Sequence, residues 1–167
     1  MFETATIEAA TKPEHYAALA VQARALLEGE RDRVANAANF AALVYHALPG
    51  LNWAGCYFRA GDELVLGPFQ GKPACVRIAL GRGVCGTAAA TRRTEVVPDV
   101  DAFPGHIACD SASRSEIVVP MVDRNGALLG VFDVDSPMLG RFDDEDRAGM
   151  ETLVRVLVDS IDAEVER

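Results

Sequence analysis

Three cysteines in the middle of the chain are the residues whose types and settings most directly suggest chemistry. Cys75, Cys85 and Cys109 stand among small residues and turn formers, in the segments GPFQGKPACVRIALGRGVCG and FPGHIACDSASRSE. Structural cysteines tend to sit on apolar faces and stay inert. A thiol in a loop, or in the first turn of a helix, can meet both a substrate and a second thiol. The pattern therefore indicates thiol redox chemistry.

The cysteines differ in their surroundings. Cys85 stands at the start of a predicted helix, where backbone N–H groups favour a thiolate, so this argument alone would choose it as the nucleophile. Cys109 lies in a predicted loop close to acidic residues, which would raise its pKa. Cys56 lies within a strand-like run and is predicted to be a buried small hydrophobe.

The spacing of the cysteines also bears on metal binding. None of them forms a C-x-x-C pair, so neither a zinc knuckle nor a thioredoxin-like motif is predicted. A zinc site built from the three cysteines and His106 stays open as an alternative, although a structural or orienting role suits His106 better. The sequence predicts no metal and no cofactor.

Three acidic residues lie on or beside strand-like runs of Val, Ile and Phe: Glu116, Asp133 and Asp135. Strand alternation over residues 131–135 places both aspartates on one face of a sheet. A solvated sheet face would explain them. The alternative is a pocket for an ammonium group, or an acid of raised pKa that donates a proton. Trp53, the only tryptophan, could pack in the core or wall such a pocket.

Length and charge limit what else the chain could be. Its 167 residues predict one domain over residues 1–167, large enough to bury about 70% of its unfolded surface. The net charge of −9 argues against binding to nucleic acid or to anionic membranes. No apolar run approaches the ~18 residues of a membrane span, and the N-terminus lacks a signal-peptide pattern. A cytoplasmic protein with reduced thiols is therefore expected.

The order of the predicted elements indicates the fold class. Two helices come first, followed by three strands (the third at residues 75–80), a short helix at 87–92, a brief strand, a loop over 99–114, a hairpin and a final helix. Terminal helices around hairpin-linked strands predict an α+β fold, with the helices on one face of an antiparallel sheet. The other face, with the short helix and the long loop, is then the natural place for a ligand pocket.

Several segments of the chain closely resemble one family. NWAGCYF, LVLGPFQGKPACVRI, GRGVCGTAAA, DVDAFPGHIACDSASRSEIVVP and GVFDVDS are similar to the free methionine-(R)-sulfoxide reductases, which are stand-alone GAF-domain enzymes. The resemblance runs from about residue 52 to residue 146. It implies a GAF-like α+β fold, in which a central antiparallel sheet of about six strands has the terminal helices on one face and the ligand pocket on the other.

The resemblance also assigns the cysteines. It implies reduction of the R-sulfoxide of the free amino acid methionine, with Cys109 attacking the sulfur of the sulfoxide. Cys75 matches the main resolving cysteine, and Cys85 matches a third cysteine that takes part in disulfide exchange. Thioredoxin would then restore the thiols. Cys56 departs from the family, which usually has a bulky residue there, and no catalytic role is expected for it.

The acidic residues and the tryptophan match family positions as well. Glu116, Asp133 and Asp135 match the pocket carboxylates, with Glu116 also a candidate catalytic acid. Trp53 matches the aromatic residue that packs on the methyl end of the substrate. Family members often form homodimers, so a dimer stays open. Two rival functions also stay open: a non-catalytic GAF module that senses a small molecule or redox state, and a thiol peroxidase.

Overall fold

The described part of the chain folds into four helices and six strands. The structure is a computed structural model, and it describes residues 4–106 and 110–161. In chain order the elements are α1 (Lys12–Leu27), α2 (Arg33–Ala47), β1 (Trp53–Ala60), β2 (Glu63–Gly71), β3 (Arg77–Ala79), α3 (Gly83–Thr91), β4 (Glu95–Val97), β5 (Ser115–Val122), β6 (Leu128–Ser136) and α4 (Asp144–Ile161). A short 3-10 turn, Val100–Ala102, lies in the long loop before β5.

One antiparallel sheet with the strand order β3-β2-β1-β6-β5-β4 organises the fold. Strand alternation separates its two faces. Ala54 and Cys56 of β1 belong to the core under α1, α2 and α4, whereas Trp53 and Tyr57 belong to a second core with α3. The predicted α+β architecture, with terminal helices on one face, is confirmed.

The terminal helices begin where the sequence signals place them. Thr11 and Glu14 form a reciprocal capping box at α1. The side chain of Asp32 accepts hydrogen bonds from backbone N–H groups in the first turn of α2. No helix within residues 4–106 and 110–161 combines the length and apolar character needed to cross a membrane.

The contact between α1 and α4 depends on a glycine. The hydroxyl of buried Tyr16 donates a 2.8 Å hydrogen bond to Asp146, whose carboxylate also pairs with Lys12 at 2.6 Å and Arg141 at 3.2 Å. A Cβ atom on Gly149 would lie 2.1 Å from Cγ of the Tyr16 ring. The missing side chain therefore allows the two helices to approach closely enough to bury Tyr16 between them.

Replacing Gly149 with alanine is expected to lower the free energy of unfolding by about 2–3 kcal/mol, because the new methyl group overlaps the Tyr16 ring. Urea unfolding of the variant measures this loss. The control is Ala148→Gly at the neighbouring exposed position, which should cost about 1 kcal/mol of helix propensity. A Gly149→Ala variant that is more stable than the wild type would show that propensity outweighs the contact.

Two predicted boundaries differ from the structure, and both differences concern a cysteine. The strand predicted at residues 75–80 is only Arg77–Ala79, so Cys75 lies ahead of it in a segment without regular structure. The short helix predicted at residues 87–92 begins at Gly83, so Cys85 lies inside its first turn.

Candidate active site

A cavity opens on the sheet face that α3 covers. It encloses about 520 Å³ of empty space, part of which is open to solvent. Its walls come from β1, β5 and β6, from the first turn of α3 and from the loop ahead of β5. The predicted site residues that line it are Trp53, Cys85, Glu116, Asp133 and Asp135. Cys109 lies outside the described residues.

Strand register brings the three carboxylates together. Glu116 on β5 lies directly opposite Asp135 on β6. Trp53 on β1 lies opposite Asp135 on its other side. Asp133 precedes Asp135 by two residues on β6, and both residues line the cavity. The prediction that the two aspartates share one face of the sheet is therefore confirmed.

Burial changes the ionisation of these carboxyl groups. Glu116 and Asp133 are only 5% and 6% exposed. Burial raises the pKa of Asp133 to about 7. Burial, followed by the charge of Asp133, raises the pKa of Glu116 and that of Asp135 well above the ordinary values. Oδ1 of Asp133 has no hydrogen-bond partner among the described residues. The cluster is therefore suited to receive a small cation.

Cys85 belongs to the same cluster. Its thiol donates a long hydrogen bond of 3.8 Å to Oε1 of Glu116. Burial, together with the charges of Asp133 and Glu116, raises the pKa of the Cys85 thiol well above its ordinary value. The expectation that the start of α3 makes Cys85 a thiolate is wrong, because burial and two acids outweigh the helix terminus.

The ligand atoms of Cys85, Glu116 and Asp133 lie within 4.8 Å of one another. Across the two described ranges this is the only group of cysteine, histidine and acidic side chains with a spacing that could hold a metal ion. Cys75 and His106 do not belong to it. The described residues therefore do not assemble the zinc site of three cysteines and a histidine that the sequence left open.

Cys75 is chemically distinct from the other described cysteines. It is disulfide-bonded, whereas Cys56 and Cys85 are free thiols. Its neighbours Pro73 and Ala74 line the cavity. Cys56 is fully buried on the helical side of the sheet, as predicted, and burial raises its pKa. A residue that forms a disulfide thus directly follows two residues of the cavity wall.

Trp53 forms an apolar part of the wall. Its ring stacks on Phe69, with centroids 5.3 Å apart and an angle of 14° between the planes. Gly55 makes this stack possible, because a Cβ atom there would lie 2.6 Å from the indole ring. The indole is 2% exposed, and its Nε1–H donates a 3.1 Å hydrogen bond to the backbone oxygen of Lys72.

The cavity also has an electropositive side. Gly83 and Val84, in the first turn of α3, line it. The N-cap residue of this helix, Arg82, makes no side-chain capping hydrogen bond. The first N–H groups of a helix have no partner within the helix and carry partial positive charge. One cavity therefore joins a carboxylate cluster to a site that favours an anion.

His106 lies beside the carboxylate cluster. Its Nε2 is 3.8 Å from Oε2 of Glu116. Burial lowers the pKa of His106, so the imidazole is neutral at pH 7. The orienting role expected from the sequence for His106 stays a prediction.

Sequence reasoning missed two residues that hold the loops around the cavity. The hydroxyl of Tyr57 donates a 3.0 Å hydrogen bond to the backbone oxygen of Cys75. Nδ2 of Asn52 donates to Oδ2 of Asp110 at 3.2 Å. Tyr57 could have been found by strand alternation from Trp53, whereas nothing in the sequence indicates the contact of Asn52.

The free energy of unfolding is expected to fall as the pH rises from 5 to 8. Burial raises the folded-state pKa of Asp133 from 3.8 to about 7, so in this window the folded protein keeps a proton that the unfolded chain releases. This stabilisation is complete below pH 3.8 and is lost as the pH rises through 7, with a change of about 2–3 kcal/mol between pH 5 and 8.

Urea unfolding of the wild type and of Asp133→Asn at both pH values measures this contribution. Titrating groups whose pKa does not depend on Asp133, such as His106, cancel in the difference between the two proteins. The free energy of unfolding of the variant minus that of the wild type should be higher at pH 8 than at pH 5 by the stated amount. A difference that does not change with pH would mean that Asp133 titrates normally.

Comparison with known proteins agrees with the geometry. Residues 16–161 match the GAF domain family. The free methionine-R-sulfoxide reductase of Escherichia coli (strain K12) is 53% identical over 146 residues, which cover 87% of this chain and 88% of the relative. These matches bear out the family resemblance seen in the sequence.

Solved structures give the same result. The free methionine-R-sulfoxide reductase of Neisseria meningitidis, solved in complex with its substrate, superposes with a TM-score of 0.92 at 45% identity and covers 98% of this chain and 97% of its own. A structure from Burkholderia vietnamiensis, described as a GAF sensor protein, has a TM-score of 0.90 at 68% identity and covers 95% of this chain and 100% of its own. The chain belongs to the GAF domain family and, within it, to the free methionine-R-sulfoxide reductases.

Proposed function

We propose that this protein reduces free methionine-(R)-sulfoxide to methionine, using Cys109 as the attacking thiol and Cys75 as the resolving thiol. The observation that carries the proposal is a single cavity with a buried carboxylate cluster, the N-terminus of α3 and an adjacent disulfide-forming cysteine. The match to reductases of the same length and fold supports it.

The charges of the cavity suit a free amino acid. The cluster of Glu116, Asp133 and Asp135 would release one of its protons and hold the ammonium group, because a buried positive charge favours an ionised carboxylate, while another carboxyl group of the cluster stays protonated. The substrate carboxylate would meet the N–H groups at Gly83 and Val84. Methionine sulfoxide within a polypeptide lacks both charges, so this arrangement selects the free amino acid.

The reaction transfers one oxygen atom and two electrons. The sulfur of Cys109 attacks the sulfoxide sulfur while an acid of the cluster, with Glu116 the candidate, protonates the oxygen. Methionine and a sulfenic acid on Cys109 result. The Cys75 sulfur then displaces the hydroxyl group as water and forms the disulfide. Cys75 forms a disulfide in this structure, which supports its role as the resolving thiol.

The oxidised protein needs an external dithiol for each turnover. We propose thioredoxin for this role, with Cys85 available for disulfide exchange on the way, in a protein that works in the cytoplasm, where thiols are kept reduced. Thiol–disulfide exchange with a dithiol protein would return Cys75 and Cys109 to the reduced state. A homodimer remains compatible with this scheme.

A stereoselective assay tests the proposed function. The protein is incubated with racemic free methionine sulfoxide and dithiothreitol, and chiral chromatography follows both diastereomers. The R-sulfoxide should disappear and the S-sulfoxide should remain, so that about half of the material is consumed. Consumption of neither form would support the sensor alternative, and turnover of hydrogen peroxide instead would support a thiol peroxidase.

A further inference from the structure

Two side chains of β1 make hydrogen bonds to the segment that carries Cys75. This segment, residues 72–76, lies between β2 and β3 and has no regular secondary structure. Tyr57 donates a 3.0 Å hydrogen bond to the Cys75 oxygen, and Trp53 donates one of 3.1 Å to the Lys72 oxygen. Tyr57 is 1% exposed and stacks on Trp53 with centroids 5.9 Å apart, so its hydroxyl is fixed in place.

A residue just before β1 holds the second loop. Nδ2 of Asn52 donates to Oδ2 of Asp110 at 3.2 Å and to Oγ of Ser113 at 3.0 Å. The backbone of Asn52 is itself tied to β6, since its N–H donates a 3.0 Å hydrogen bond to the oxygen of Asp135. Asp110 directly follows Cys109 in the sequence. Nζ of Lys72 also lies 3.7 Å from Oδ1 of Asp110, which links the two loops directly.

We propose that Tyr57 and Asn52 are positioning residues for the disulfide step, because they tie the Cys75 segment and the Asp110 end of the other loop to β1 and to the residue just before it. The proposal rests on the proposed function in that Cys109 is the partner of Cys75. When the Cys75 sulfur displaces water from the sulfenic acid, holding the two loops in place limits the conformations that the loops must sample before the two sulfurs meet. This raises the effective concentration of one sulfur at the other.

The first test is Tyr57→Phe, which removes one oxygen atom and leaves the stacked ring in place. Losing one buried hydrogen bond should slow disulfide formation about tenfold relative to the first formation of methionine. Rapid quenching measures both steps, and trapping with dimedone should show more sulfenic acid. The matched control is Tyr45→Phe on α2, which loses the same atom far from either loop and should leave the ratio of rates unchanged.

The second test measures equilibrium rather than rate. The disulfide of Cys75 is titrated against glutathione, and peptide mapping identifies its partner. In Tyr57→Phe and in Asn52→Ala the equilibrium constant for closing the disulfide should fall about tenfold. Asn52→Ala is suited to this because Oδ1 of Asn52 has no hydrogen-bond partner in the described part of the chain, so truncation also removes an unpaired buried atom.

Unchanged constants in both variants would overturn the proposal. So would a Tyr57→Phe variant in which methionine formation slows as much as disulfide formation, since Tyr57 would then act on the substrate. A wild-type protein that makes no methionine would overturn the proposed function instead, and the glutathione titration would still decide whether the two residues position the disulfide.

Discussion

Replacing Cys109 with serine is expected to abolish methionine formation, lowering kcat/KM by a factor of about 10⁴ or more. A serine hydroxyl is a poor nucleophile toward a sulfoxide sulfur and cannot accept the oxygen atom as a sulfenic acid. Cys75→Ser should behave differently. Its first turnover should still yield about one methionine per protein, with oxidised Cys109 detected by mass spectrometry, while thioredoxin-dependent turnover slows sharply.

The matched control is Cys56→Ala. Cys56 is a free thiol on the helical side of the sheet, away from the cavity, so its loss should leave both steps intact. A Cys109→Ser variant that still forms a full equivalent of methionine in the first turnover would contradict the assignment. Cys85→Ser would then show whether the third cysteine attacks.

The structure gives a physical reason to expect Cys85 to attack poorly. Its thiol is 5% exposed and faces Glu116 and Asp133, and both burial and these acids raise its pKa. A thiol that stays protonated is a weak nucleophile. Its contact with Glu116 instead places it where it can affect the proposed proton donor.

Features that depend on local pattern were predictable from the sequence. Strand alternation places Asp133 and Asp135 on one face, and the hairpin of β5 and β6 then fixes Glu116 opposite Asp135. The capping signals at Thr11 and Asp32 also predict the residues at which two helices begin. In each case the determining contacts lie within a few residues or within one hairpin.

Features that depend on tertiary contacts were not predictable from pattern. The sequence places Cys85 at the start of a helix, but it does not show that the folded helix brings the Cys85 thiol close to Glu116 and Asp133. The strand predicted over residues 75–80 is only Arg77–Ala79, and the Cys75 oxygen accepts a hydrogen bond from Tyr57, 18 residues earlier in the chain. Both outcomes arise from the packing of β1 and α3 against distant segments.

Glu116→Gln and Asp133→Asn should each lower kcat/KM for free methionine-(R)-sulfoxide by about 100-fold, which corresponds to nearly 3 kcal/mol. In Asp133→Asn the buried ammonium group loses a charged partner, and an amide cannot supply the missing charge. In Glu116→Gln the sulfoxide oxygen loses its candidate proton donor. The variants should remain folded, because burial already disfavours the ionised form of both carboxyl groups in the free protein.

A second substrate separates ammonium binding from other roles of the two acids. N-acetyl methionine sulfoxide lacks the ammonium group, so the wild type should reduce it slowly and Asp133→Asn should reduce it about equally slowly. The two substrates should therefore differ far less in the variant than in the wild type. Asp62→Asn, the same change at an exposed turn residue, is the matched control and should leave both rates unaltered. An Asp133→Asn variant that loses the same factor on both substrates would show that Asp133 acts on the sulfoxide or on the fold rather than on the ammonium group.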